Sequence, residues 1–421
     1  MKATRSLTFV CAGFVVAGAL GLSAQAPPAR SVGIARPAAL SKPRIPPVEQ
    51  GRWTDAHRGL MASFGRDGRP GNELATLMNH PELAASVMAV VKYFSEESEL
   101  SPRQREILIL RTAWLCRSEY VWAHHAANAR QVNLGAADLR RIAQGARAPG
   151  WDRIEATLVG AADELYRNSS LSDATWNALS AQFNQHQMMD AAFTVPAFTM
   201  LTMIDNSLGV QLEPGIAEHL PADIPYVIDL PAREAPLEAA RIPPLEQPEW
   251  TPAIRKMLDP ADSGRNVIAV YRTFARHPKL YAPRQLLSEH IRLENTLSAH
   301  ARELLILRVG WIGQSEYEWQ QHARTGRTAG LDTERVAIGP EAAGWDAVDR
   351  ALIGAADEIY RDDMVSDATW AALTPHFDTR QMMDILTTAG GYRMVSTVLN
   401  TFGVQLEPGG ERFPPVPRPA R

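Results

Sequence analysis

The sequence predicts an all-α protein made of two tandem helical bundles related by internal duplication. Three observations carry that reading: a long internal repeat, apolar residues at helical spacing inside each copy, and no convincing alternating or hairpin signal. "RIPPVEQ" at 44–50 returns as "RIPPLEQ" at 241–247, an offset of 197 residues (241 less 44). The same offset carries "LSPRQREILILR" (100–111) onto "LSAHARELLILR" (297–308), and His80-Pro81 onto His277-Pro278. Past the "RAPG" loop the offset falls to 194 (403 less 209), where "GVQLEPG" at 209–215 meets "GVQLEPG" at 403–409. A period this long marks a duplicated domain, not a solenoid.

Taken in order, residues 1–26 read as a signal peptide. "MKATR" is the positive region, "LTFVCAGFVVAGALGL" the apolar one, and "AQA" (24–26) supplies small residues for cleavage. Pro27 stands just after that cut, so cleavage after Ala24, or retention as an anchor, stays open. Residues 27–43 form a Pro-rich linker, 44–215 the first repeat, 216–240 a second linker, 241–409 the second repeat and 410–421 a Pro-rich tail. The expected location is therefore periplasmic or secreted. Cys11 leaves with the signal, so Cys116 is the single remaining thiol and no internal disulfide can form.

Within each copy the pattern is helical. "RQREILILRTAWL" combines strong helix formers with a broad apolar face. "DRIEATLVGAADELYR" sets Ile154, Leu158, Ala161, Ala162 and Leu165 in one stripe. "SDATW" opens on the N-capping residues Ser172 and Asp173. "QMMDAAFTVPAFTMLTMIDNSLG" predicts a helix kinked near Pro196, with Gly390-Gly391 near the corresponding point of the second copy.

Composition narrows the function. With 43 Lys+Arg against 47 Asp+Glu there is no basic excess for nucleic acid. No further apolar run reaches the roughly 20 residues of a membrane span. There is no Gly-rich phosphate loop, no Gly-x-Ser-x-Gly elbow and no Cys/His spacing for zinc, so neither cofactor nor metal is expected.

The chemistry-bearing stretch is "SEYVWAHHA" (118–126), repeated as "SEYEWQQHA" (315–323). Ser118, Val121 and His125 share one helical face, as do Ser315, Glu318 and His322. Glu106 and Glu303 precede the serines by twelve residues, in an apolar helix where a carboxylate needs a partner. His125 and Arg111, or His322 and Arg308, are the candidates. Bland roles stand beside these: Ser118 and Ser315 as caps (Ser315 with Glu318 as a capping box), and Tyr120, Tyr317, Trp122 and Trp319 as packing aromatics. His80 and His277 read as turn or cap residues and His124 as a surface residue.

At these residues the chain resembles the carboxymuconolactone decarboxylase and alkylhydroperoxidase D family. Its redox members place a Glu twelve residues before a Cys-x-x-Cys, then a His four residues after the second Cys. Here the frame holds twice, as Glu106…Ser118-x-x-Val121…His125 and Glu303…Ser315-x-x-Glu318…His322, with both cysteine positions empty. The resemblance is therefore to the decarboxylase branch, and thiol peroxidase activity is disfavoured. It implies small helical domains that assemble, so that three copies of this tandem chain would form a pseudo-hexamer. It also implies a cofactor-independent lyase or isomerase acting on a small lactone or oxidised-aromatic acid. His125 and His322 would move protons, and Glu106 and Glu303 would orient them. Arg111 or Arg308 would receive a substrate carboxylate, with Ser118, Ser315, Glu318, Tyr120, Tyr317, Trp122 and Trp319 around the substrate. A non-catalytic oligomeric binding protein of the same fold is the alternative.

Overall fold

The computed structural model describes residues 30–33, 39–65, 68–230 and 233–417. The expected signal peptide lies outside them. Ten helices build and position the site. In the first half these are α1 (Pro81–Lys92), α2 (Pro102–Leu115), α3 (Glu119–Gln131), α4 (Arg153–Asn168) and α5 (Gln185–Leu208). The second half repeats them as α6 (Pro278–Glu289), α7 (Ala299–Ile312), α8 (Glu316–Thr328), α9 (Ala347–Asp362) and α10 (Thr379–Phe402).

Local chemistry explains the boundaries. Proline stands in the first turn of α1, α2 and α6, where its missing N–H costs no hydrogen bond. Ser101 and Gln104 form a reciprocal capping box at the start of α2. Asp152 and Asp346 cap α4 and α9 through the N–H groups of Glu155 and Asp349. The α5 helix runs unbroken through Pro196 and is buried over nearly its whole length. Among the described residues no helix is long and apolar enough to cross a membrane.

One element escaped the sequence. A four-residue ribbon pairs β1 (Arg30–Gly33) antiparallel to β2 (Val227–Leu230), with Arg30 opposite Leu230. Strands this short, with partners so far apart in the chain, leave no local alternation to read.

The two halves pack along α5 and α10. Gly390 makes that approach possible, because a Cβ there would sit 2.8 Å from Met200 Cγ. The repeated "RIPP" arginines then cross over. Arg44 donates to the carbonyls of Ser207 and Val365, and Arg241 to those of Leu171 and Thr401.

Buried histidines complete the seam. Asp384 accepts from His290 Nε2 at 2.8 Å and from the Thr296 N–H and hydroxyl, with His80 Nε2 from the other half 3.4 Å away. Asp190 does the same in mirror fashion, accepting from the Tyr93 hydroxyl at 2.7 Å, with His277 3.2 Å away. His80 and His277 thus begin their helices as expected, yet are fully buried between the halves. Burial alone would raise the Asp384 pKa, but the hydrogen bonds from His290, His80 and Thr296 outweigh it and hold the carboxyl well below the usual range. A depressed acid contributes stability above its unfolded value of about 3.9, and loses it as pH falls through the folded value. Asp384→Asn is expected to lower stability by about 3 kcal/mol at neutral pH, and to flatten its decline in acid. Urea melts across a pH series check this; an unchanged midpoint contradicts it.

Candidate functional site

Each half holds one cavity where its α2–α3 pair (α7–α8 in the second half) meets its long last helix. The cavities are equivalent in position and each encloses about 360 Å³. In the first, His125 Nδ1 lies 2.8 Å from Glu106 Oε2; in the second, His322 Nδ1 lies 2.8 Å from Glu303 Oε2. The carboxylates come from α2 and α7, the imidazoles from α3 and α8, so helix pairing sets the contact. Glu106 and Glu303 are buried, while both imidazoles keep a small exposed edge in the cavity. An ionised Glu accepts from Nδ1–H and so leaves Nε2 as the basic nitrogen facing the cavity.

The two sites then diverge. His322 Nε2 lies 3.0 Å from the Tyr392 hydroxyl and 3.8 Å from a Glu318 carboxylate oxygen. The first half has Phe198 and Val121 at those places, and His125 meets the Phe198 ring edge-to-face at 5.3 Å. Burial pushes the Tyr392 hydroxyl well above its ordinary pKa, and the Glu303 and Glu318 carboxylates add to that. The phenol therefore stays protonated and donates to Nε2. Burial also raises the Glu318 carboxyl, against the lowering pull of His322 and Arg284.

Glu318 carries a stability signature. A raised folded pKa means that above the unfolded value of about 4.3 the unfolded chain releases a proton that the folded chain retains. Stability falls as pH rises through that window. Glu318→Gln is expected to melt higher than the natural protein at neutral pH, with the difference shrinking below about pH 4. Thermal melts at the two pH values check this; an equal or lower melting temperature at neutral pH contradicts it.

Tyr120 and Tyr317 line the cavities and tie in the repeated "GVQLEPG" segments. Tyr120 donates to Glu213 at 2.9 Å and accepts from the Glu73 N–H. Tyr317 donates to Glu407 at 3.1 Å and accepts from the Val270 N–H. His124, expected on the surface, lines the first cavity instead and meets Glu213 at 2.9 Å. Burial works to raise Glu213, but bonds from His124 and the Asn72 N–H hold it down to about 2.

Several expected ligand-binding residues lie elsewhere. Arg111 does not reach a cavity. Its Nε and Nη2 hold Asp163 at 2.7 and 3.0 Å, and its Nη1 donates to the carbonyls of Ile142 and Ala143. Arg308 repeats this with Asp357, Val336 and Ala337. Gly145 and Gly339, at φ +99° and +112°, leave room for the guanidinium groups, which a Cβ would approach to 3.2 and 2.6 Å. A buried Arg with its donors occupied cannot take a substrate carboxylate. Trp122 and Trp319 are core residues. Ser118 is buried and caps α3 through the Val121 N–H, whereas Ser315, equally buried, makes no cap bond, and the Glu318 side chain of the expected capping box lines the cavity.

Sequence reasoning passed over Tyr392, Glu213, Glu407 and Arg284. Pairing the two copies position by position marks Tyr392 and Arg284 as departures from Phe198 and Val87. Two groups bring metal-capable donor atoms within 4.8 Å, namely His80, His290 and Asp384, and Glu99, His186 and His277. Both lie at the seam between the halves, outside the cavities; Asp384 is hydrogen-bonded to His290 and His80 in the first, and in the second His186 bonds Glu99 and stacks on His277.

The model of the Carboxymuconolactone decarboxylase family matches residues 81–164 and 278–358, one stretch in each half. No curated protein matches the chain. Solved structures with similarity include the alkylhydroperoxidase AhpD core of an uncharacterized peroxidase-related protein from Ralstonia eutropha. It is 22% identical with a TM-score of 0.36, over 40% of this chain and 93% of that one. A protein of unknown function from Agrobacterium tumefaciens is 18% identical with a TM-score of 0.30, over 32% of this chain and 94% of that one. A debrominase in complex with 2,3,4-tribromopyrrole is 11% identical with a TM-score of 0.34, over 42% of this chain and 95% of that one. Each half thus carries one stretch that matches the carboxymuconolactone decarboxylase family model.

Proposed function

We propose that the protein is an exported lyase or isomerase that works by His–Glu acid–base chemistry, without a cofactor, on a small lactone or oxidised-aromatic acid. The observation that carries this reading is the twice-built dyad at 2.8 Å, each opening on a cavity of about 360 Å³. A buried carboxylate behind an imidazole fixes its tautomer and stabilises the imidazolium. In decarboxylation the bond to the carboxyl carbon breaks, CO2 leaves, and the electron pair stays on the lactone as a dienolate. His322 Nε2, having taken up a proton from solvent, gives it to the carbon, and the imidazole returns to its neutral form. The Tyr392 hydroxyl stands beside Nε2 to hydrogen-bond the developing oxyanion, with the Glu318 carboxyl also next to Nε2.

Cys116 is buried and lines a different cavity, beside Trp114, Arg117 and Asp205. That placement favours acid–base over thiol chemistry. Association of three copies belongs to the same proposal, and the exposed Leu286 and Leu293 are apolar side chains available for it. The test is turnover of a panel of small lactone and aromatic acids by the full chain, with and without His125→Gln plus His322→Gln. Consumption that persists in the double variant sinks the reading.

A further inference from the structure

The duplication leaves two cavities of one origin, and comparing them position by position shows where charge has been placed. Arg284 of α6 lines the second cavity; its counterpart in the first half is Val87. Arg292, at the mouth of the second cavity, stands where the first has Ser95. The first cavity is furnished in the opposite sense. Glu73 stands where the second has Val270, and the His124–Glu213 pair stands at its wall. The second cavity has gained a buried arginine, whereas the one arginine lining the first, Arg69, is exposed.

Arg284 is the decisive side chain. It is only 8% exposed, yet among the described residues it has no ion-pair partner. Its one hydrogen bond is a long contact of 3.4 Å to the neighbouring Gln285 side chain. Its guanidinium instead lies over the rings of Phe274 and Tyr271, at 4.7 and 5.6 Å. The other buried arginines show what a settled guanidinium looks like here: Arg111, Arg308 and Arg393 each hold an aspartate. A buried cation without a carboxylate is costly, and an anion entering the cavity supplies the missing partner. Glu318 shares this cavity and feels the Arg284 charge, which pulls its carboxyl down against the raising effect of burial, but the two make no ion pair. Arg292 is tied at the mouth to the Tyr271 hydroxyl at 2.7 Å, which adds a second positive charge along the entrance. Between these groups the wall is apolar, with Ile268, Val270, Ile306 and Val395.

We propose that the two cavities are no longer equivalent: the second is a site for a small organic anion with an apolar body, its charged end held by Arg284, and the first is not an anion site. Arg284 is a specificity-determining residue set opposite the His322–Glu303 dyad. The proposal rests on the acid–base reading only for what the bound anion undergoes, since binding itself needs no turnover.

The probe is benzoate, with uncharged benzamide as the matched control. Isothermal titration of the full chain is expected to show saturable benzoate binding with one site per chain, and benzamide at least about 10-fold weaker. In spectra of the histidine-labelled protein, assigned with His125→Gln and His322→Gln, benzoate should move the His322 signals and leave those of His125 in place. Arg284→Met should weaken benzoate at least about 10-fold while leaving benzamide unchanged, consistent with loss of a charge-assisted contact. The stoichiometry and the histidine signals need no substitution at Arg284, so they stand even if that variant fails to fold. Two equal sites per chain, a shift at His125 as large as at His322, equal affinity for the amide, or no saturable benzoate binding overturns the proposal. Benzoate held at His322 by a chain that turns over no acid supports this inference and removes the catalytic one.

Discussion

Arg111→Met is expected to destabilise the protein by about 3–5 kcal/mol, the range for removing one member of a buried ion pair. The side chain is 1% exposed and its partner Asp163 3%, so the carboxylate left behind has no water to solvate it. The carbonyls of Ile142 and Ala143 also lose their donor, and an orphaned buried acceptor costs about 1–3 kcal/mol more. Arg308→Met repeats the experiment in the second half. Asp357 is more open there, with a side chain 21% exposed, so a smaller loss is expected. Urea midpoints of the two variants check both the size and the order. A loss under 1 kcal/mol at Arg111 would show that the guanidinium is not the structural clamp its four bonds describe.

The second large effect concerns His322. Removing a positioned proton-transfer group lowers rate by about 10²–10⁴-fold. His322→Gln is therefore expected to abolish the share of turnover that belongs to the second half, while His125→Gln abolishes that of the first. The halves need not contribute equally. Tyr392 and Glu318 sit beside Nε2 only in the second site, so the larger loss is expected from His322→Gln. Circular dichroism melts separate this from unfolding, because both imidazoles keep an exposed edge and carry little of the core.

Much of the architecture was legible because its signals are local or repeated. Apolar spacing, N-caps and first-turn prolines gave the helices, and the offset of 197 gave the two halves. The Glu–His dyad was legible for the same reason, since the twelve-residue frame occurs twice on periodic helices. Partner choice was not legible. Arg111 lies five residues from Glu106 on one helix, but its aspartate comes from α4, 52 positions away. Whether that arginine faces a cavity or a buried acid depends on a helix-to-helix contact that spacing does not encode. His80 and His277 misled in the same way: their place before proline fixes a helix start, while their carboxylate partners lie across the seam. Val270 N–H bonding to Tyr317, and "GVQLEPG" closing over the tyrosine, are likewise products of the tertiary fold.

The most direct test of the central claim is mass spectrometry of one panel of small lactone and aromatic acids incubated with the natural protein and with the His125→Gln/His322→Gln double variant. The expected result is an acid that loses CO2 or isomerises with the natural protein, and whose conversion falls at least about 100-fold in the folded double variant. Conversion at the natural rate without either imidazole would contradict it.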